Sequence, residues 1–137
     1  MKKSLLDCKV LLVEDVYESR LLVRQLMGRL GVTLIEATDG LEGVRLAKEI
    51  LPDLVLMDLS LPVMDGWEAT RQLKADAATA HIPVVIVTAH SMWDEAMRVK
   101  EVGCAGYVMK PLDPIRFGED VVEFLRQGVT RTWVPGI

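Results

Sequence analysis

The chain has 137 residues, half of them apolar and about a quarter charged, with a net charge of −4. That length suits one ordinary domain able to bury its own core. A mildly acidic chain without a basic run is a poor direct binder of nucleic acid, and no apolar stretch approaches the ~20 residues of a membrane span.

The N-terminus carries Lys2 and Lys3, but its apolar run breaks at Asp7, so it does not read as a secretory signal. Nothing resembles a polybasic or amphipathic membrane-surface helix. The expectation is a cytoplasmic protein. Cys8 and Cys104 are far apart and lack a CxxC partner, which suits two small reduced hydrophobes.

Short apolar runs alternate with longer helical stretches. Val10 to Val13 reads as a buried strand ending at Glu14-Asp15. Tyr17 to Leu30 reads as a helix with Leu22, Leu26 and Leu30 on one face, and Gly31 ends it. Thr33 to Ala37 is a second strand. Asp39, with Glu42 three residues on, has capping-box spacing and opens a helix to about Ile50, before Pro52. Leu54 to Met57 is a third strand, ending on Asp58. Asp65 and Glu68 repeat the cap spacing and open a helix to about Ala75. Val84 to Val87 is a fourth strand, ending at Thr88. Ser91 and Asp94 are expected to cap a fourth helix that Gly103 closes. Gly106 to Met109 is a short fifth strand, ending at Lys110-Pro111. Asp113-Pro114 starts a last helix to about Gln127.

Five strand–helix units leave nothing for a second domain. Residues 1–127 are assigned to the domain and 128–137 to a short tail of open role. Apolar strands separated by helices imply an α/β fold, a doubly wound parallel sheet covered on both faces.

Four strands end on chemically notable residues: Glu14-Asp15, Asp58, Thr88 and Lys110. Right-handed crossovers bring such ends to one edge of a parallel sheet, where ligands bind. Clustered carboxylates repel unless some take up protons or a cation sits among them. Hard oxygens with open positions suit Mg²⁺, which attracts a phosphoryl donor and offsets charge during transfer. Lys110 supplies a second cation, Thr88 a hydroxyl, and Asp58 a carboxylate able to form an acyl phosphate. Taken singly, each has an ordinary reading: a cap, a turn, a β-branched strand residue. Their joint placement carries the argument.

The ordered residues Glu14-Asp15, Asp58, Thr88-Ala89 and Lys110-Pro111 resemble the receiver domain of bacterial two-component response regulators. So does the run Pro52-Asp53-Leu54-Val55-Leu56-Met57-Asp58-Leu59, followed by Leu61-Pro62-Val63-Met64-Asp65-Gly66. The resemblance spans roughly residues 8 to 127. It implies a flavodoxin-like sheet of order 2-1-3-4-5 with five helices. It implies Asp58 as phosphoacceptor, with Glu14, Asp15, Asp58 and the Ser60 backbone carbonyl around Mg²⁺. Lys110 would contact the phosphoryl group, through a residue whose bond to Pro111 is cis in many members. Thr88 and Tyr107 would be the switch pair, and Ser60 and His90 would influence the phosphoryl lifetime.

The same resemblance implies a phosphohistidine donor, on a histidine kinase or histidine phosphotransfer protein. It would dock on Tyr17, Arg20, Leu21 and Arg24 with Pro111 and Leu112. An output surface is expected around Trp93, Met97, Tyr107 and Phe117, with Phe117 alternatively in the core. The downstream target would be another protein. The only reactions expected of the chain are its own phosphorylation and dephosphorylation. A phosphorelay carrier and a phosphorylation-independent scaffold remain as alternatives. A flavodoxin-like cofactor protein is disfavoured because Glu14-Asp15 replaces a phosphate-binding loop. An aspartyl phosphohydrolase is disfavoured because Ser60 stands where the second Asp belongs.

Overall fold

Side chains of successive strand residues point to opposite faces of a sheet, so a strand that is apolar at every position needs cover on both sides. The computed structural model, which describes residues 4–89, 98 and 101–127, meets that need with one parallel five-stranded sheet between two layers of helices. The strands are β1 (Lys9–Val13), β2 (Thr33–Ala37), β3 (Leu54–Met57), β4 (Val84–Thr88) and β5 (Gly106–Met109). Their order is β2-β1-β3-β4-β5. The helices are α1 (Tyr17–Leu30), α2 (Gly40–Ile50), α3 (Gly66–Ala75) and a C-terminal helix (Pro114–Gln127), with a 3-10 turn at Leu5–Asp7.

The alternation divides the core in two. Leu11, Val13, Val55, Met57, Val84, Ile86 and Tyr107 face α2 and α3, meeting Val44, Ala47, Ala69 and Leu73. Val10, Leu12, Leu54, Leu56, Val85 and Val87 face the other way, onto Val23, Leu26 and Met27 of α1 and Phe117, Val121 and Phe124 of the C-terminal helix. Burying a large apolar side chain contributes roughly 1.5–3 kcal/mol, so these two clusters dominate the favourable side of folding.

The expected boundaries hold closely. Gly31 ends α1 in the left-handed conformation, φ +84°, which glycine adopts without a Cβ penalty. Asp39 caps α2 by accepting from the Glu42 N–H at 2.7 Å, while the Glu42 carboxylate reaches back to the Thr38 N–H at 2.8 Å. Asp65 caps α3 by accepting from the Glu68 N–H at 2.9 Å. Asp113 accepts from the N–H groups of Ile115 and Arg116 at the start of the C-terminal helix. Of the expected fourth helix, Arg98, Glu101 and Val102 are helical and Gly103 follows with φ +78°. Its caps Ser91 and Asp94 lie outside the described residues, as do 128–137. Neither Cys8 nor Cys104 is in a disulfide.

Register fixes where the strands stop. Val13 stands beside Ala37 of β2 and Met57 of β3, so the residues after β1 and β3 emerge side by side. β1 and β3 are neighbours although β2 lies between them in sequence. The chain therefore turns to opposite sides of this line, leaving a crevice beyond the strand ends.

Candidate functional site

Glu14 and Asp58 enter that crevice from adjacent strands. The Asp58 N–H donates to the Val13 carbonyl at 3.0 Å, and the Glu14 N–H to the Ala37 carbonyl at 3.0 Å, which extends the ladder by one residue on each strand. Both carboxylates are buried, whereas Asp15 is exposed. One carboxylate oxygen from each of Glu14, Asp15 and Asp58 lies within 4.8 Å of the others.

Lys110 reaches the same point from the end of β5. Its ammonium forms an ion pair with Glu14 Oε1 and donates to Asp58 Oδ2 at 3.2 Å. The Lys110 N–H donates to the Thr88 carbonyl at 2.8 Å, so the ends of β4 and β5 are tied together. The Lys110–Pro111 bond is cis.

Backbone donors complete the acidic pocket. The Val16 N–H reaches Glu14 Oε2 at 3.2 Å, and the Ser60 N–H reaches Asp58 Oδ1 at 3.3 Å. Each carboxylate oxygen has two acceptor positions, so Asp58 retains capacity for a further partner. Behind Asp58 the loop is closed by Gly66, whose N–H donates to the Leu59 carbonyl at 3.0 Å. A Cβ at Gly66 would collide with the Asp58 carbonyl and the Leu59 Cα. Glycine is what lets the start of α3 lie against the loop.

Burial raises the Glu14 carboxyl above its usual 4.5, since it penalises the charged form more than the Lys110 hydrogen bond favours it. Burial also acts against the Lys110 ammonium, yet the Glu14 and Asp58 carboxylates outweigh it and hold that amine above 10.5. The shifts describe a pocket overloaded with negative charge and only partly neutralised by one lysine. Exposed Asp15 beside two buried carboxylates makes a set of hard oxygen donors, open on one side, which fits a divalent cation such as Mg²⁺.

The structure thus brings Glu14, Asp15, Asp58 and Lys110 together. Ser60 sits exposed immediately beyond Asp58, and Thr88 is fully buried at the adjoining strand end. Tyr107 is fully buried against the α2/α3 side of the sheet. Phe117, offered as output surface or core, is core at 2 % exposure, because it packs with Leu12 and Val87 under the opposite face. His90, Trp93 and Met97 lie outside the described residues.

The candidate docking face divides. Tyr17 and Leu21 are exposed, Pro111 is exposed and Leu112 half-buried. Arg24 is clasped by Glu36 through two bonds of 2.9 Å. Arg20 turns inward, donating to the carbonyls of Glu14 at 3.1 Å and Asp15 at 3.0 Å. Sequence reasoning missed that role, since nothing in the spacing shows a helix residue bracing the preceding loop. It also missed a cavity of about 460 Å³ that runs from Glu14, Asp58 and Lys110 down to Leu22, Val23 and Phe117.

Comparison with known proteins agrees with the geometry. The family model for the response regulator receiver domain matches residues 10–121. The polar-differentiation response regulator DivK of Brucella anthropi is 40% identical over 116 residues, covering 85% of this chain and 94% of that protein. The chemotaxis protein CheY4 of Vibrio cholerae superposes with a TM-score of 0.79 at 25% identity, over 85% of this chain and 97% of that one. The receiver domain of the sensor histidine kinase PA1611 from Pseudomonas aeruginosa, solved with a magnesium ion in its active-site cleft, has a TM-score of 0.79 at 27% identity. It covers 86% of this chain and 97% of that one. With strand order, strand-end carboxylates and family model in agreement, the chain belongs to the response regulator receiver domain family, a module of two-component signalling.

Proposed function

We propose that Asp58 accepts a phosphoryl group from a phosphohistidine and that the modified chain signals through altered protein contacts. The observation that carries this reading is the Lys110 ammonium 3.2 Å from Asp58 Oδ2 inside the carboxylate trio. An Asp58 oxygen forms the new P–O bond as the donor's P–N bond breaks and the imidazole leaves. Lys110 stays beside the developing charge, and the Ser60 N–H holds the other Asp58 oxygen in place. Glu14, Asp15, Asp58 and the Ser60 carbonyl are the groups that would hold Mg²⁺, which when bound neutralises charge on the phosphoryl oxygens.

Thr88 would carry the modification to the fold by turning its hydroxyl to a phosphoryl oxygen, with Tyr107 filling the space behind it. The change is a shift between states already sampled. The donor would be a histidine kinase or histidine phosphotransfer protein seated on Tyr17, Leu21 and the Pro111–Leu112 segment. A relay role, passing the group on to a second histidine, is the second reading, favoured by the likeness to receiver domains of sensor histidine kinases. No helix among the described residues is long and apolar enough to cross a membrane, and we place the chain in the cytoplasm.

Acetyl phosphate with Mg²⁺, read by intact mass, tests the assignment. One phosphoryl adduct is expected in the wild type, and none in Asp58→Asn or without metal. An adduct that persists in Asp58→Asn moves the site elsewhere. Leu21→Asp is expected to slow transfer from the cognate donor roughly tenfold, the effect of one contact worth about 1.4 kcal/mol. An unchanged rate removes α1 from the docking face.

A further inference from the structure

Asp15 is the exposed member of the carboxylate trio, so its direction is set by the backbone that carries it. That backbone is the short turn between β1 and α1. A side-chain oxygen at the N-cap commonly holds such a turn to its helix. Asp39 and Asp65 do so for α2 and α3, but the cap of α1 is Val16, whose side chain has no oxygen to offer.

Arg20, in the first turn of α1, supplies the missing anchor. Its Nη1 donates to the Glu14 carbonyl at 3.1 Å and to the Asp15 carbonyl at 3.0 Å. These two carbonyls belong to the peptide planes on either side of the Asp15 Cα. Pinning both planes fixes φ and ψ of Asp15, and with them the direction of its Cβ. The guanidinium is held in turn. Its Nε lies 3.4 Å from Glu36 Oε1 on β2, and its central carbon lies 5.7 Å from the centre of the Tyr17 ring, within cation–π range. Arg24 grips the same Glu36 carboxylate through two bonds of 2.9 Å. Arg24, Glu36 and Arg20 thus form a line of charge-assisted contacts from β2 to the acidic turn. The Arg20 side chain is 16% exposed, so solvent screens its contacts only lightly.

We propose that Arg20, held by Glu36, is a positioning residue for the divalent cation, aiming Asp15 at the ion without touching it. This role rests on the reading of Glu14, Asp15 and Asp58 as the Mg²⁺ site. Charge alone would give Arg20 the reverse effect, because a guanidinium bonded to the backbone of two acidic residues repels a cation. The two accounts therefore differ in sign.

The test uses the full chain at pH 7 with Mn²⁺ as a paramagnetic stand-in, a hard divalent ion also suited to carboxylate oxygens. Free Mn²⁺ is counted by electron paramagnetic resonance. Arg20→Met removes both carbonyl bonds and the charge. Its Kd for Mn²⁺ should rise about tenfold or more, the usual cost of losing a group that orients a metal ligand. Loss of charge alone would lower that Kd. Arg20→Lys keeps the charge but lacks the second nitrogen that meets Glu36, and Glu36→Gln keeps the shape but removes the ion pair. Both should weaken binding in the same direction by a smaller factor. Urea unfolding in EDTA identifies the variants that are folded during the titration, and if Arg20→Met is not among them, Arg20→Lys decides. Binding as tight as in the wild type, or tighter, in the folded Arg20 variants overturns the proposal and leaves the metal site standing. Wild-type binding that Asp15→Asn does not weaken overturns both, since the ion then lies elsewhere.

Discussion

Glu14 shows how one residue can be both poorly placed for stability and well placed for function. Its carboxylate is 2 % exposed, close to Asp58, and relieved by Lys110 and the Val16 N–H. Because burial raises its folded pKa above 4.5, the folded state binds more protons than the unfolded one once pH exceeds that value. Any stability linked to the protonated form is complete below 4.5 and is lost as pH rises through the folded value. Metal-free protein should therefore lose stability relative to Glu14→Gln as pH climbs from below 4.5 to neutral, measured by urea unfolding in EDTA. Parallel curves for the two proteins would show that Glu14 is not the group at fault. Lys110 adds no slope in this range, since its amine, held above 10.5, remains charged throughout.

At the level of elements, the β3–α3 connection sets the position of Asp58. Val63 has a positive φ of 69°, a conformation disfavoured for a β-branched residue, and Gly66 leaves room where the start of α3 meets the Asp58 carbonyl. Met64 is also held in place from the other side: a Cβ at Gly40 of α2 would strike its carbonyl. Strain and close approach at a loop beside the carboxylate trio are consistent with geometry maintained by the surrounding fold. Gly66→Ala should cost roughly 1–3 kcal/mol, the usual range for overpacking, and should also lower the yield of the acetyl phosphate adduct by displacing Asp58. Loss of stability with an unchanged adduct rate would show that the loop relaxes without moving the carboxylate.

Across the whole molecule, the sheet delivers three carboxylates and one lysine to one edge, and ligand binding there must then report on the fold. A cation that binds only the folded, deprotonated trio stabilises by mass action. Mg²⁺ should raise Tm more at pH 7 than at pH 5, because protonation of Glu14, whose pKa is already raised, competes with the metal. Asp15→Asn should reduce the shift at pH 7. An equal Mg²⁺ effect at both pH values, as read by differential scanning fluorimetry, would place the ion away from the trio. Tyr107 belongs to this scale as well. It lies on β5, two strands from Asp58, yet shares one apolar cluster with Met57 and Leu59, the residues on either side of it.

Much of this was determined by sequence because the relevant physics is local. Apolar runs bounded by helix caps located all five strands, and Asp39, Asp65 and Asp113 marked helix starts through bonds made within three residues. The residues of the acidic site were legible for the same reason: each is the residue at which a strand stops. What needed the tertiary structure was every relation that depends on distance across the chain. Lys110 is 52 residues from Asp58, and only the sheet register makes them partners. The bonds from Arg20 to the Glu14 and Asp15 carbonyls likewise follow from how α1 is set against the loop before it, which the spacing of residues does not show. Phe117 was ambiguous between surface and core because helical periodicity gives a face but not what packs against it. The cavity beside α1 is a void between elements, which no residue pattern encodes and only packing creates.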